Sequence, residues 1–460
     1  MNWRIVVLAL QGMLSGSLCS STAYAADLME VWQAAKGHDP EYLAARSEQS
    51  AGAARRRQGD ALSSPSVNFV AGAGVVNQSS AISGAQFSTP GFGTFSNASF
   101  NTSINSGTMT KYALQASQPL YDRELSAQKN QLKLSGDVAD MGMVASDRTL
   151  ILRVTEIYFE TLKAKSVIEL LAEQQNAVSN TYAEISKRQH LGDASKIDLQ
   201  ETAEQVEAIK ARILSAQLAA KNDSLLLMEV TGQDFKINSL VAGFNAAEVP
   251  IGNVKDLTAK AKLQNPQLQI LALRQQVSNA EIDKYSARSS PKINVVAQIE
   301  RDQINGSGDY GSASNTTSNN MIGIQLSVPL MDGFRSAKND EAVHTAEKTR
   351  LEYERASLDI DKQINSIWFA LSTGKDRIIS LTRMVALSKE RLETTEKSHR
   401  QGVRTTLELL GAENDLVSAK LALLEEQINF IVNKIRLSSI VGDVSEQDLI
   451  FANRFLAKNQ

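Results

Sequence analysis

The sequence predicts a mainly α-helical chain that carries membrane-type β-strands and is built twice on one plan. Three observations predict it. The first is a pair of proline-free stretches, residues 122–190 and 333–401. Each begins just after a proline–leucine pair (Pro119-Leu120, Pro329-Leu330) and ends just before a glycine (Gly192, Gly402), so proline and glycine stand 73 positions apart in both. A helix of that length spans about 100 Å at 1.5 Å per residue, far beyond the usual helix of about 11–12 residues. The second is the seam along these stretches. Ile360, Ile364, Ile367, Leu371, Gly374, Ile378, Leu381 and Val385 alternate steps of four and three, as in a coiled coil. Leu150, Val154, Ile157, Thr161, Ala164, Ile168 and Leu171 repeat the spacing 210 positions earlier. The third is a switch to a period of two. Val67, Phe69, Ala71, Ala73 and Val75 alternate with Asn68, Val70, Gly72 and Gly74, and Ile293, Val295, Ala297 and Ile299 do the same. That is the signature of strands.

The chain opens with a stretch unlike the rest. Residues 1–25 read as a secretory signal: Arg4 gives the positive start, residues 5–14 the apolar run, and Ala23-Tyr24-Ala25 the small-x-small cleavage site. The run is too short to span a bilayer. Cys19, the one cysteine of the 460 residues, lies inside it. Bulky Leu18 precedes Cys19 where a lipid-attachment signal carries a small residue, so lipidation is not expected. Removing the leader leaves 47 basic against 51 acidic residues. That balance implies no nucleic-acid partner, and a cysteine-free mature chain has no disulfide. An exported, helix-rich chain of this kind belongs in the bacterial periplasm or outer membrane.

The elements follow in order. The first repeat, 26–245, starts with a short amphipathic helix broken at His38-Asp39-Pro40, and a second helix ending at Pro65. A strand pair over about 66–120 encloses a Ser/Gly/Asn-rich stretch, 79–107, that reads as a long exposed loop. The long helix, about 122–190, turns at Leu191-Gly192-Asp193 into a return helix of about 195–230. The second repeat, 246–441, has a strand pair over about 292–330 with a shorter loop at 306–318. Its long helix covers about 333–401 and its return helix about 405–440, before a C-terminal segment at 442–460. Asn265-Pro266 and Ser289-Ser290-Pro291 match Asp39-Pro40 and Ser63-Ser64-Pro65 at an offset of 226, whereas everything after the strands matches at 210. The difference falls in the loop between the strands, where folded repeats tolerate length changes. In each repeat one long helix matches two shorter ones laid end to end, with the connectors 232–250 and 442–460 at the break as an equatorial belt.

Four strands with one apolar and one polar face cannot close alone, and a lipid-facing sheet must close. Three chains would pool twelve strands. A soluble strand cap on a coiled-coil periplasmic tether is the rival from another class. No zinc spacing, phosphate loop or nucleophile elbow is present, so no enzyme, cofactor or metal is expected. His38, His190, His344 and His399 are far apart in sequence. Gly306-Ser307-Gly308-Asp309-Tyr310-Gly311 fits a dinucleotide-binding string, but it lies between two strands and reads as a surface loop.

The chain resembles the TolC family of outer-membrane channel-tunnels over nearly all its mature length. Leu28-Met29-Glu30-Val31 and Asp39-Pro40-Glu41 carry the resemblance near the start. The strand exits Gln118-Pro119-Leu120-Tyr121-Asp122 and Val328-Pro329-Leu330-Met331-Asp332-Gly333, the turns Leu191-Gly192 and Gly402-Val403-Arg404, and Glu446-Gln447-Asp448-Leu449 complete it. The resemblance implies a homotrimer with a twelve-stranded barrel in outer-membrane lipid, continued by a helical barrel through the periplasm. It implies a periplasmic adaptor and an inner-membrane ABC transporter as partners. The type I secretion branch, with a secreted protein as cargo, is favoured over multidrug efflux.

The same resemblance assigns the site. The turns at Leu191, Gly192, Gly402 and Val403 form the periplasmic tip that meets the adaptor. Asp198 and Arg404 stand where the family has an aspartate and an arginine that hold the tip shut, so an Asp198–Arg404 bond is the expected lock. An exposed pair of that kind is worth only about 0.2–1 kcal/mol, which suits a gate that a partner opens. His399 replaces a family tyrosine. It brings either pH sensitivity, because imidazole titrates near physiological pH, or nothing more than a solvated side chain. Glu408 keeps the first of two mouth acids, and Gly411 replaces the second, which implies weaker cation selectivity.

Overall fold

The computed structural model describes residues 26–240, 246–286, 290–308 and 311–456. The leader with Cys19, Ser289 of the repeat match, Asp309 and Tyr310 of the glycine string, and 457–460 lie outside them. In chain order the elements are α1 (Leu28–His38), α2 (Pro40–Ala61), β1 (Ser66–Thr89), β2 (Gly93–Tyr121), α3 (Arg123–His190) and α4 (Lys196–Thr231). After a 3₁₀ turn (Ala246–Glu248) come α5 (Val254–Gln264), α6 (Pro266–Ser286), β3 (Lys292–Gly308), β4 (Gly311–Ser327), α7 (Gly333–Arg400), α8 (Thr406–Val441) and α9 (Glu446–Asn453). Both long helices have 68 residues and both return helices have 36. No described helix is long and apolar enough to cross a membrane.

The chain divides into two units. One takes Ala44–Ser146 and Lys262–Asp361, and so holds the strands and the first parts of α3 and α7. Its four strands form one antiparallel sheet in the order β1-β2-β3-β4. The register lines up Phe69, Leu114 and Ile299 in one row and Val67, Ala116, Ala297 and Ile322 in the next. Val295 faces Ile324 and Ile293 faces Leu326 on the same side. Most of the large ones are exposed in the single chain, and Ile322 keeps 81% of its surface; Ala116, Ile293, Val295 and Ala297 are half-buried. The other face carries Asn68, Gln115, Gln298 and Asn319, and Lys111 reaches Glu300 there at 2.5 Å. The apolar rows, 293–299, end at Arg301 opposite Tyr112. Counted to that boundary row, the stretch reaches the lower end of the about 9–11 residues that a bilayer-spanning strand requires.

The sheet corrects one expectation. Residues 79–107 are mostly strand, since β1 and β2 pair from Ser66↔Ser117 up to Thr89↔Gly93. The 306–318 loop likewise becomes the ends of β3 and β4, paired to Gly308↔Gly311. Pairing is a backbone property, and beyond the apolar rows the strands are mostly Ser, Asn, Gly, Gln and Thr with scattered apolar residues such as Ile82, Phe87, Phe95 and Phe100, so no regular alternation of side chains marks the extension.

In the same unit α2 packs closely on α3. A Cβ built on Gly52 would lie 2.6 Å from Ala139 Cβ, while Arg56 bonds Asp137 at 2.8 Å and also Asp140. Gly52→Val is therefore expected to destabilise this pairing by about 1–3 kcal/mol through overpacking. A lowered denaturation temperature, with Gly142→Ala of α3 not lowering it because nothing lies within 4 Å of that site and alanine favours a helix, checks it.

The other unit takes the chain up to Leu43, Asp147–Ala261 and Lys362 onward. Its core joins distant parts of the chain: Leu28, Val31 and Trp32 of α1, Leu150, Tyr158, Phe159 and Leu162 of α3, Leu227 of α4, Ile431 and Ile435 of α8, and Leu449 of α9. Asp27 caps α1, accepting from Glu30 N at 2.9 Å while Glu30 accepts in return. The Tyr158 hydroxyl donates to the Ala26 carbonyl at 3.0 Å, and burial pushes its pKa up. The connectors meet here: Ala26 bridges Ile237, and Leu240 bridges Leu456. Trp368 Nε1 and Lys375 Nζ of α7 donate to the carbonyls of Gly252 (3.0 Å) and Val249 (2.6 Å).

Candidate functional site: the helical turns

Both long helices end on the same device. Gly192 and Gly402 take φ of 88° and 75°, the left-handed conformation that lets a glycine follow a helix without a Cβ clash. The last carbonyls are then satisfied backwards: Asp193 N donates to Arg188 O at 2.8 Å, and Val403 N to Ser398 O at 2.9 Å. The turns thrust Leu191 and Val403 into solvent, at 78% and 74% exposure.

The return helices then start on capping boxes. Ser195 Oγ accepts from Ile197 N at 3.1 Å, and Asp198 accepts from Ser195 N at 3.3 Å. Thr405 Oγ1 accepts from Glu408 N at 3.2 Å, and Glu408 accepts from Thr405 N at 2.9 Å. Arg404 completes the second box with an ion pair to Glu408, one turn along. The Thr405 amide, and after it the Arg404 guanidinium, hold the Glu408 carboxyl below the usual carboxylate range.

The expected Asp198–Arg404 bond is thus not formed within the chain. Asp198 is held by its own helix start and Arg404 by Glu408, and local partners three and four residues away win over a partner on another turn. His399 is not the solvated side chain that was one of its two readings. It is 8% exposed, with Nε2 3.3 Å from Thr406 Oγ1. Gly411 has open space around it. A polar groove of about 450 Å³ opens beside the turn, lined in part by Arg391, Ser398, Arg404 and Glu408.

Further from the turns lie residues that sequence reasoning missed. Asn414 of α8 accepts from Gln174 of α3 (2.6 Å) and Gln205 of α4 (3.0 Å), next to a small apolar cluster of Val178, Ile209 and Leu410. Glu413 is buried beside them. Its signal was in the spacing: Thr406, Leu410, Glu413 and Val417 step by four and three, which places an acid on the buried stripe of α8.

Comparison with known proteins identifies what this arrangement resembles. The family described as "Outer membrane efflux protein" matches residues 31–233 and 257–443. The chain is 25% identical over 452 residues to outer membrane protein TolC of Vibrio cholerae, covering 94% of each. It is 23% identical to the alkaline protease secretion protein AprF of Pseudomonas aeruginosa, covering 94% of this chain and 88% of that one. A solvent efflux pump outer membrane protein, SrpC of Pseudomonas putida, is 25% identical but covers 73% of this chain and 68% of its own. Among solved structures, the CmeC outer membrane channel of Campylobacter jejuni superposes with a TM-score of 0.72 at 14% identity, covering 99% of this chain and 98% of that one. The duplicated fold with four antiparallel strands is that of these channels.

Proposed function

The chain belongs to the outer membrane efflux protein family, and from that premise we propose that it is the exit duct of a type I protein secretion system, gated at its helical turns. It is an outer-membrane channel protein that extends into the periplasm, and a transport protein rather than an enzyme. The observation that carries the duct reading is the sheet: one apolar face, one polar face, and outer edges on β1 and β4 that pair with no described strand. Three copies would close twelve strands with the apolar rows toward lipid and Gln115, Gln298 and Glu300 toward water. In this reading the copies also bring Asp198 of one subunit to Arg404 of the next, and the exposed Leu191 and Val403 turns meet a periplasmic adaptor. An inner-membrane ABC transporter supplies the energy.

Secretion of a protein is favoured over efflux of small molecules because the relative named for protease secretion matches nearly end to end, whereas the solvent efflux relative covers less of both chains. Multidrug efflux is the second reading, since efflux relatives do match. Deleting the protein separates them: lost export of a secreted protein with unchanged drug tolerance supports secretion, and the reverse supports efflux.

Single-channel conductance in planar bilayers tests the duct and the lock together. Wild type is expected to show small discrete steps. Asp198→Ala combined with Arg404→Ala is expected to give larger ones, because an exposed lock worth about 0.2–1 kcal/mol is lost in each subunit. Equal steps in both would remove the lock, and no steps from folded protein would return the tether reading.

A further inference from the structure

The buried stripe of α8, which lies near Glu396 of α7, holds a carboxylate that the lock does not use. Glu413 sits on the face of α8 made by Leu409, Leu410, Ala412, Leu416 and Val417, all buried. It is 6% exposed within a single chain, and its Oε2 has no hydrogen-bond partner. A buried carboxylate without a partner is costly when ionised. Across the seam, α7 places the half-buried Glu396 one turn before His399, and its charge adds to the penalty.

Of the other charged and polar groups nearby, Glu393, Lys397 and Arg400 of α7 are exposed to solvent, Gln174 Oε1 of α3 is buried without a partner, and the rest have partners. On α8, Glu408 is taken by Thr405 and Arg404, and Asp415 by Arg391 of α7 at 2.6 Å. His399 faces Thr406. The nearby groups of α3 and α4, Gln174 and Gln205, are neutral and donate through Nε2 to Asn414. Glu173 pairs with Lys420 at 3.3 Å and Glu207 with Lys210 at 2.5 Å. Burial first, and Glu396 second, push the Glu413 carboxyl up to about 7.

We propose that Glu413 is a proton-dependent positioning residue of the gate: protonated, it lets α7 and α8 close on each other, and ionised, it and Glu396 force the seam apart and loosen the turn. This rests on the reading of the turns as a gate. The sign follows from linkage. A carboxyl raised in the closed seam holds its proton more tightly there than in an opened one. Closure is therefore fully supported below about 4.5, the ordinary glutamate value, and loses support as pH rises through about 7. One linked proton changes the open-to-closed ratio by roughly tenfold per pH unit within that window.

The test is open probability of the purified full-length protein in planar bilayers from pH 4.5 to 8, for wild type, Glu413→Gln and Glu396→Gln. Wild type is expected to open more as pH rises from about 5 to 7. Glu413→Gln, which keeps the shape and the hydrogen-bonding capacity of a protonated acid, is expected to stay closed across the range. Glu396→Gln is expected to keep the response but move it to lower pH. Tryptic cleavage after Arg404 in detergent, followed against pH, should rise in parallel in wild type and stay flat in Glu413→Gln. A Glu413→Gln protein that keeps the wild-type pH response, or a conducting wild type with none, overturns the inference while leaving the duct intact. Absence of steps from wild type at every pH overturns the duct reading and this inference with it.

Discussion

Ile322→Arg is expected to prevent the protein from reaching its folded, membrane-embedded form. Ile322 lies in the second of the apolar rows, opposite Ala297, near the middle of the belt between Ile293 and Arg301. An arginine on the lipid face near the bilayer midplane costs about 2–4 kcal/mol. In the proposed trimer the penalty is incurred three times, which approaches the whole stability of an ordinary domain, about 5–15 kcal/mol. Met321 is the matched control. It is the adjacent residue of the same strand and points to the polar face beside Gln298, so Met321→Arg should be tolerated and alter only conductance. The measurement is the amount of heat-modifiable protein recovered from outer membranes. Equal loss for both substitutions would mean that the two faces of the sheet have been assigned the wrong environments.

Phe159→Ala is expected to destabilise the helical unit by about 3–5 kcal/mol, the range for emptying a buried aromatic site. Phe159 is fully buried and stacks edge-on against Tyr158 with ring centroids 5.7 Å apart. The core cluster it belongs to draws on five helices spread over the chain, which leaves little freedom for a neighbour to refill the space. Phe159→Leu keeps most of the volume and should cost less than about 1.5 kcal/mol. The denaturation midpoints of the detergent-solubilised proteins should fall in the order wild type, Leu, Ala.

Much of the fold could be read directly. Pro119 and Gly192, and their counterparts Pro329 and Gly402, bracket α3 and α7 because proline and glycine act through the backbone alone, without tertiary help. The reach of β1 and β2 could not be read so easily. Where a sheet leaves lipid for water on both sides, Ser, Asn and Gly strands look like loops, since only burial imposes alternation. At the turns the residues were found but not their bonds. Ser195-x-x-Asp198 and Thr405-x-x-Glu408 are capping-box patterns visible in the sequence, and reading them as such would have assigned Asp198 and Glu408 their local partners. The burial of His399 and Glu413 depends on which face of α8 lies against α7, a tertiary fact with no local signature beyond the seam spacing.

The clamp formed where Leu28 N donates to Asn453 Oδ1 at 3.0 Å, across 425 positions of sequence, has a temporal consequence. The two hairpins, β1–β2 and β3–β4, need only neighbouring stretches of chain and can zip as those stretches leave the translocon. The helical unit cannot: α1 rests on α9 as well as on α4, so its core stays open until the last helix has been synthesised and exported. Loop closure over such a separation is slow, and during that wait Leu28, Trp32 and Phe159 are bare in the periplasm and prone to aggregation. Escort through the periplasm is therefore an expected need of the nascent protein, and a chain lacking α9 is expected to be synthesised yet cleared by proteolysis before it matures, which an immunoblot of the periplasm and outer membrane would read.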